Sequence, residues 1–324
     1  MMLAGKDDKM TNPIETHSPM PAKQEQTLTI QQALDLAVKH HTAGDLPKAE
    51  GIYNQILQAD PNQPVALHFL GLIAHQIGEN YRAVKLIGDA LKVKPDYLDA
   101  LGNLGNALVA IDRYDDAIAN YQKALNINHN VPELYNAIGL AYRGLGDLNR
   151  AIKNYKIAIA KNSNFTEAYH NLGNALVKSN KIDEAVINFK KAHTLNPHNA
   201  ETFYNLGIAY NEIKQFDDAV ENFNKAIFIK PDYAEVHHHL GNTLKATGNL
   251  DEAVFCYSAA ISIKPDYAEA HNNLGTALQE LGKFDEALES YNKAITIKPD
   301  YVDAHYNLGI SLTKLGKLDE AVTS

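Results

Sequence analysis

The 324-residue sequence contains a single cysteine, no tryptophan and no long apolar run. One thiol, that of Cys256, cannot form an internal disulfide, so the fold does not depend on an oxidising compartment. No stretch approaches the roughly 20 apolar residues of a membrane helix, and the N-terminus lacks the apolar segment of a secretion signal. We therefore expect a cytoplasmic protein without membrane insertion.

Positive charge is also scarce. The chain has 30 Lys and Arg residues against 39 Asp and Glu residues, which gives a net charge of −9. Proteins that bind a phosphate backbone need a basic surface, so we expect no nucleic acid among the main partners.

What the sequence does contain is a 34-residue repeat. The tetrapeptide Lys-Pro-Asp-Tyr occurs at 94–97, 230–233, 264–267 and 298–301, and each spacing is a multiple of 34. Without any insertion, units start at 30, 64, 98, 132, 166, 200, 234, 268 and 302. We predict a repeat array over residues 30–324 and, before it, a disordered leader over residues 1–29.

Positions counted from each unit start show helical spacing of apolar residues and regular breaks. Position 8 is Gly in eight of nine units, position 20 is Ala in all nine, and position 24 is aromatic in seven of eight. Gly282 is predicted to end a first helix in the left-handed conformation, and Pro299 to end a second helix. Asp232, Asp266 and Asp300 each precede an acidic residue by three positions, which predicts N-caps. Each unit is therefore a helix hairpin that buries its apolar face by stacking.

In these columns the sequence resembles the tetratricopeptide repeat (TPR) family, and the resemblance covers residues 30–324. It implies an all-α fold, a right-handed superhelical solenoid of stacked helix hairpins with nine 34-residue units, the last incomplete. Unit nine stops inside its second helix without a polar cap, so we expect a fragment of something longer. The family holds its partners in a concave groove that the first helices line.

The first helices carry a row of asparagines, a residue that is unfavourable inside helices. In the family, positions 5, 6 and 9 face the groove, and a side-chain amide can pair with both the N–H and the C=O of an extended peptide. The TPR arm of protein O-GlcNAc transferases carries a similar row at position 6. Duplication of a unit that already contained Asn-Leu-Gly is the alternative explanation. The predicted peptide-binding groove contains Asn103, Asn171, Asn205, Asn273 and Asn307 at position 6, Asn106, Asn174 and Asn242 at position 9, and His68, Asn136, His170, His238 and Asn272 at position 5.

Position 2 is acidic in seven consecutive units. These side chains lie in the first helical turn, where they complement the helix dipole. A groove that favours basic peptides is the alternative explanation. The seven residues are Asp99, Glu133, Glu167, Glu201, Glu235, Glu269 and Asp303.

The sequence gives little support for a carboxylate clamp, a metal site or a catalytic cysteine. No unit has Lys at positions 2 or 5 or Arg at position 6, so the carboxylate clamp by which chaperone-binding TPR domains hold a peptide terminus is not expected. His237, His238 and His239 are consecutive, and on a helix their side chains point about 100° apart, so they cannot converge on one ion. Cys256 has no histidine partner motif and is predicted to be inert. We expect no catalytic residue, metal or cofactor within these residues.

The leading functional prediction is a protein–protein interaction scaffold that binds an extended peptide segment in its concave groove. The alternative is the substrate-recruiting N-terminal arm of a longer enzyme, a protein O-GlcNAc transferase-like glycosyltransferase whose catalytic domain follows residue 324. A sulfotransferase or methyltransferase arm is a third possibility, so the question of enzyme activity stays open at this stage.

Overall fold

The computed structural model describes residues 28–323, and within them every regular element is a helix. The first helix of each unit begins at the expected 34-residue spacing, and each pairs with the helix that follows it. The prediction of an all-α array of stacked hairpins is confirmed. Residues 1–27 of the predicted leader lie outside the described residues. The helices are α1 (Ile30–Thr42), α2 (Leu46–Ala59), α3 (Pro64–Gln76), α4 (Asn80–Val93), α5 (Leu98–Val109), α6 (Tyr114–Ile127), α7 (Pro132–Gly144), α8 (Leu148–Lys161), α9 (Thr166–Lys178), α10 (Ile182–Leu195), α11 (Ala200–Glu212), α12 (Phe216–Ile229), α13 (Ala234–Ala246), α14 (Leu250–Ile263), α15 (Ala268–Glu280), α16 (Phe284–Ile297), α17 (Val302–Lys314) and α18 (Leu318–Thr323).

The turn inside each hairpin depends on one left-handed residue at position 15. Gly282 takes this conformation, with φ at 77°, as predicted. Asp112, Asn180 and Lys214 take it too, with φ between 57° and 60°, although a Cβ makes it unfavourable. The second helix α16 ends at Ile297, just before the Pro-containing turn.

The three N-caps predicted at Asp232, Asp266 and Asp300 are wrong. The residue after each of them, a tyrosine, occupies the N-cap position and makes no capping bond with its side chain. Tyr267 shows why. Its ring lies 5.0 Å from the Lys264 ammonium, and its hydroxyl lies 3.1 Å from Nδ1 of His238 on the preceding first helix, α13. These contacts place the tyrosine at the helix start, in preference to a cap that contributes about 1 kcal/mol.

The glycine and aromatic columns meet in the core of each hairpin. The Phe189 ring is fully buried and lies against Gly173, where a Cβ would approach Cε1 of the ring to 2.5 Å. Gly at position 8 therefore leaves room for the ring at position 24 of the same unit, although unit one accommodates Ala37 together with the buried Tyr53. Ala at position 20 is fully buried in the first eight units.

Successive first helices also contact one another directly, from α3 with α5 through to α15 with α17. In the described part of the chain, no two successive second helices make comparable contacts. In a curved stack the inner elements lie closer together, so the first helices line the concave face. None of the helices within residues 28–323 has both the length and the apolar composition needed to cross a bilayer.

Candidate functional site: the concave face

The asparagines at position 6 are hydrogen-bonded to the preceding unit. In each case the amide Nδ2 donates to the side chain at position 5 of the unit before, 35 residues earlier; we call these contacts the 5/6 pairs. The hydrogen bond fixes the orientation of each amide. It is a structural reason for the asparagine row, beside the two reasons considered from the sequence, peptide binding and duplication. The donor–acceptor distances are 2.9 Å for Asn103 to His68 Nε2, 3.0 Å for Asn171 to Asn136 Oδ1, 2.7 Å for Asn205 to His170 Nε2, 2.9 Å for Asn273 to His238 Nε2 and 3.0 Å for Asn307 to Asn272 Oδ1.

The residue types at positions 5 and 6 are matched across each junction. Every Asn at position 6 faces a His or Asn at position 5 of the preceding unit. The other junctions have different residue types at these two positions. Tyr204 and His239 place their rings edge-on, 5.5 Å apart. At the junction of units three and four, Gly102 occupies position 5 and Ala137 occupies position 6, and neither has a side chain long enough to bridge the junction. Comparison of residues 35 apart could have revealed these pairs from the sequence.

Two of the three paired histidines, His68 and His238, are held in one tautomer. His68 Nε2 accepts from the asparagine, so its proton lies on Nδ1, which donates to the Tyr97 hydroxyl at 3.0 Å. His238 makes the same two contacts with the equivalent residues. Burial lowers the pKa of His68 and of His238 to about 4. Both rings are therefore neutral at pH 7, as the 5/6 pair requires.

The asparagines at position 9 differ from one another. Asn106 Oδ1 accepts from the buried Tyr121 hydroxyl at 2.7 Å, and Asn242 accepts from the equivalent tyrosine at 2.8 Å. In the unit of Asn174 the equivalent ring is Phe189, which has no hydroxyl. Within the described residues no hydrogen bond holds the Asn174 amide, which is half-buried. Asn174 is thus the position-9 amide left without an internal partner.

The position-6 amides retain acceptor capacity. The Oδ1 atoms of Asn103, Asn171, Asn205 and Asn307 have no protein partner in the described part, and none is enclosed. Four of the five position-6 amides therefore present an oriented oxygen on the first helices, whereas the Oδ1 atom of Asn273 accepts from the Asn272 amide at 3.3 Å.

The acidic row lies beside these amides. Glu167 Oε1 accepts from the Asn136 amide at 3.0 Å, and Glu201 Oε1 lies 3.8 Å from His170 Nε2. In the part of the chain that the structure describes, none of the seven position-2 carboxylates forms an ion pair with Lys or Arg. Within residues 28–323 these carboxylates therefore add negative charge to the first helices without a direct ion pair to Lys or Arg.

The three consecutive histidines have separate environments. His237 Nε2 lies 3.0 Å from the Pro231 carbonyl oxygen, His238 belongs to a 5/6 pair, and His239 packs against Tyr204. Among residues 28–323, no three His, Cys, Asp or Glu side chains are grouped as metal ligands.

Burial raises the pKa of the Cys256 thiol to about 11. The thiol is therefore protonated at neutral pH, which makes it a poor nucleophile.

Comparison with known proteins identifies the family. The model for the TPR repeat matches six overlapping segments, at 105–146, 140–179, 173–214, 209–248, 241–282 and 277–316. Together they run from 105 to 316, which is more than half of the chain. The chain belongs to the TPR repeat family.

Curated relatives match this TPR chain over shorter stretches. Small glutamine-rich tetratricopeptide repeat-containing protein 2 of Mycosarcoma maydis is 30% identical over 90 residues, 28% of this chain and 26% of the relative. The BBSome complex member BBS4 of Bos taurus is 29% identical over 101 residues, 31% of this chain and 20% of the relative. The matching part of the chain thus spans 26% or less of these relatives.

Solved structures with a similar fold also match this chain. The APC/C hetero-tetramer Cut9–Hcn1 aligns with a TM-score of 0.59 at 16% identity, covering 82% of this chain and 52% of that chain. YrrB, described as a TPR protein with an unusual peptide-binding site, aligns with a TM-score of 0.49 at 28% identity, covering 57% of this chain and 95% of its own.

Proposed function

We propose that this chain is a protein-interaction scaffold whose concave face binds an extended peptide segment of a partner. Membership of the TPR family supports an interaction role. The observation that carries the proposal is the row of four position-6 Oδ1 atoms, in Asn103, Asn171, Asn205 and Asn307, that have no protein partner among the described residues. An extended peptide presents N–H groups that these oxygens can accept, largely independently of the peptide's sequence.

The 5/6 pairs support this proposal through preorganisation. Because each amide already donates to the preceding unit, its side chain is ordered before a ligand arrives. Binding then loses little additional side-chain entropy, which favours affinity.

Charge favours a basic segment as the ligand. The seven position-2 carboxylates lie on the same face and are not paired with Lys or Arg in the described residues, and the chain has a net charge of −9. Clustered charge of one sign steers ligands of the opposite sign.

Selection from a phage library of short linear peptides tests the proposal. Recovered peptides are titrated against wild type and against a variant in which the five position-6 asparagines are changed to alanine. Each lost contact weakens binding by about 0.5–1.5 kcal/mol, so we expect the five changes together to lower affinity more than tenfold. The control changes second-helix asparagines that donate to their own helix, Asn120, Asn154 and Asn188, to alanine.

Since the five-fold change also breaks the 5/6 pairs, a second variant separates binding from folding. Asn174→Ala removes an amide without an internal partner among the described residues, so we expect weaker binding at unchanged stability. Failure to recover any peptide, or equal affinity for wild type and both variants, would contradict the proposal.

The second candidate function is the substrate-recruiting arm of a glycosyltransferase of the O-GlcNAc transferase type. It is favoured by the position-6 row, which the structure describes as five oriented amides. Sequencing the reading frame beyond residue 324 tests it directly, because this candidate requires a catalytic domain there.

A further inference from the structure

The 5/6 pairs are interrupted by small residues at the junction of units three and four. Where other junctions hold two interacting side chains, this one holds Gly102 and Ala137. A cavity of about 300 Å³ occupies the space, at the lower end of the range for ligand pockets, roughly 300–1,000 Å³. A Cβ at Gly102 would meet only Cδ2 of Leu134, at 3.5 Å, so the space in front of the glycine is open.

The polar part of the cavity wall consists mainly of acceptors. Asp99 and Glu133 line it, and neither carboxylate forms an ion pair with Lys or Arg in the described chain. Asn103 contributes an Oδ1 atom without a protein partner. The Oδ1 atom of Asn106, in contrast, is occupied by the Tyr121 hydroxyl. A ligand group that fits this wall is cationic and carries several hydrogen-bond donors.

The rest of the wall is apolar. Leu98, Val131, Leu134 and the Tyr121 ring line it together with Ala137. Such a surface packs against the methylene stem of a long basic side chain while the charged end reaches the carboxylates.

We propose that this cavity receives an arginine side chain of the bound peptide. The guanidinium group offers five donors in a planar fork and suits two carboxylates and an amide oxygen better than the point charge of lysine does. The inference rests on the proposed peptide-binding function and adds to it a fixed position of the ligand. Because the junctions at Leu34–Phe69 and Tyr204–His239 are filled by their own side chains, this pocket sets the register of the peptide.

The test uses the peptide family recovered from the phage library on wild type. The tightest binder is synthesised with arginine, lysine or citrulline, the neutral isostere of arginine, at its most enriched basic position. Affinities are measured by fluorescence anisotropy on wild type and on the Asp99→Asn/Glu133→Gln variant. We expect citrulline to weaken binding at least tenfold on wild type and less than twofold on the variant.

Two further variants serve as controls. Asp251→Asn/Glu252→Gln changes the same residue types in the first turn of α14, away from the cavity, and should keep the preference for arginine over citrulline. Gly102→His/Ala137→Asn fills the cavity with the pair that His68 and Asn103 already form in this chain. We expect this variant to lose the arginine preference while it still binds the peptide with alanine at that position.

The outcomes separate the two proposals. Recovered groove peptides without an arginine preference would overturn the pocket and leave the peptide-binding function standing. An arginine preference that persists in Asp99→Asn/Glu133→Gln, or that falls equally in Asp251→Asn/Glu252→Gln, would also overturn it, because the effect would then be one of overall charge. Recovery of no peptide at all would overturn both.

Discussion

The histidines of the 5/6 pairs should make the stability of the array depend on pH. His68 and His238 have pKa values of about 4 in the folded chain, against an unperturbed value of 6.5. Between these values the unfolded chain binds more protons than the folded one, so stability falls as the pH is lowered from 6.5 towards 4. Well above pH 6.5, where the unfolded chain no longer protonates these two histidines, they do not change the stability with pH.

The size of the effect follows from this difference in pKa. At pH 5 the loss is about 2 kcal/mol for each histidine, and it approaches about 3 kcal/mol each once the folded form is also protonated. Together they equal a large part of the 5–15 kcal/mol that stabilises a typical domain. The neighbouring charges oppose one another: Asp99 favours and His41 disfavours protonation of His68, and burial outweighs both.

The informative variant is His68→Asn/His238→Asn. Asparagine already accepts the same bond at position 5 in units four and eight, through Asn136 and Asn272, and it does not titrate. Urea denaturation followed by circular dichroism from pH 7.5 to 4.5 should show the wild-type midpoint falling more steeply than that of the variant. Carboxylates titrate in both proteins, and the comparison removes their effect. Parallel loss of stability in the two proteins would refute the role assigned to the neutral rings.

Three other predictions concern local features of the repeat. Lys214→Gly should raise the free energy of unfolding by about 1 kcal/mol, because it removes a Cβ from a left-handed residue; a lower urea midpoint would contradict this. Gly173→Ala should lower the free energy of unfolding by about 1–3 kcal/mol, because the new Cβ would overlap with the Phe189 ring. Gly51→Ala should raise it by up to about 1 kcal/mol, because a Cβ at Gly51 would have no neighbouring atom within 4 Å. Amide hydrogens of α17 should exchange faster than those of α9, since Tyr306 is 69% exposed, and equal protection would count against this.

Much of the fold could be predicted because each hairpin repeats the same local signals. Pro at position 32 and the left-handed residue at position 15 mark helix ends wherever they occur, and Lys214 adopts the turn geometry even without glycine. The N-caps could not be predicted in the same way. Local preference favours Asp266, but Tyr267 contacts His238 across the junction, and that partner lies 29 residues away.

The residues of the candidate site could be predicted from the sequence, but the hydrogen bonds that join them could not be predicted from single columns. The asparagine row and the residues at position 5 are evident as separate columns, yet the bond between them joins different columns of successive units, as in Asn205 and His170. The cavity depends on two small residues, Gly102 and Ala137, and its shape comes from the packing of the neighbouring helices. Whether a peptide occupies the groove stays a prediction.

The junction at Gly102 and Ala137 also has a mechanical consequence. Each unit of a stacked array contacts mainly its neighbours, so the bending stiffness of the array is determined separately at each junction. Junctions with a 5/6 pair have a side-chain hydrogen bond on the concave surface that resists opening, and the junction of units three and four has none. Under load, we expect bending to concentrate there, because the other two junctions without a 5/6 pair, Leu34–Phe69 and Tyr204–His239, are filled by packed side chains.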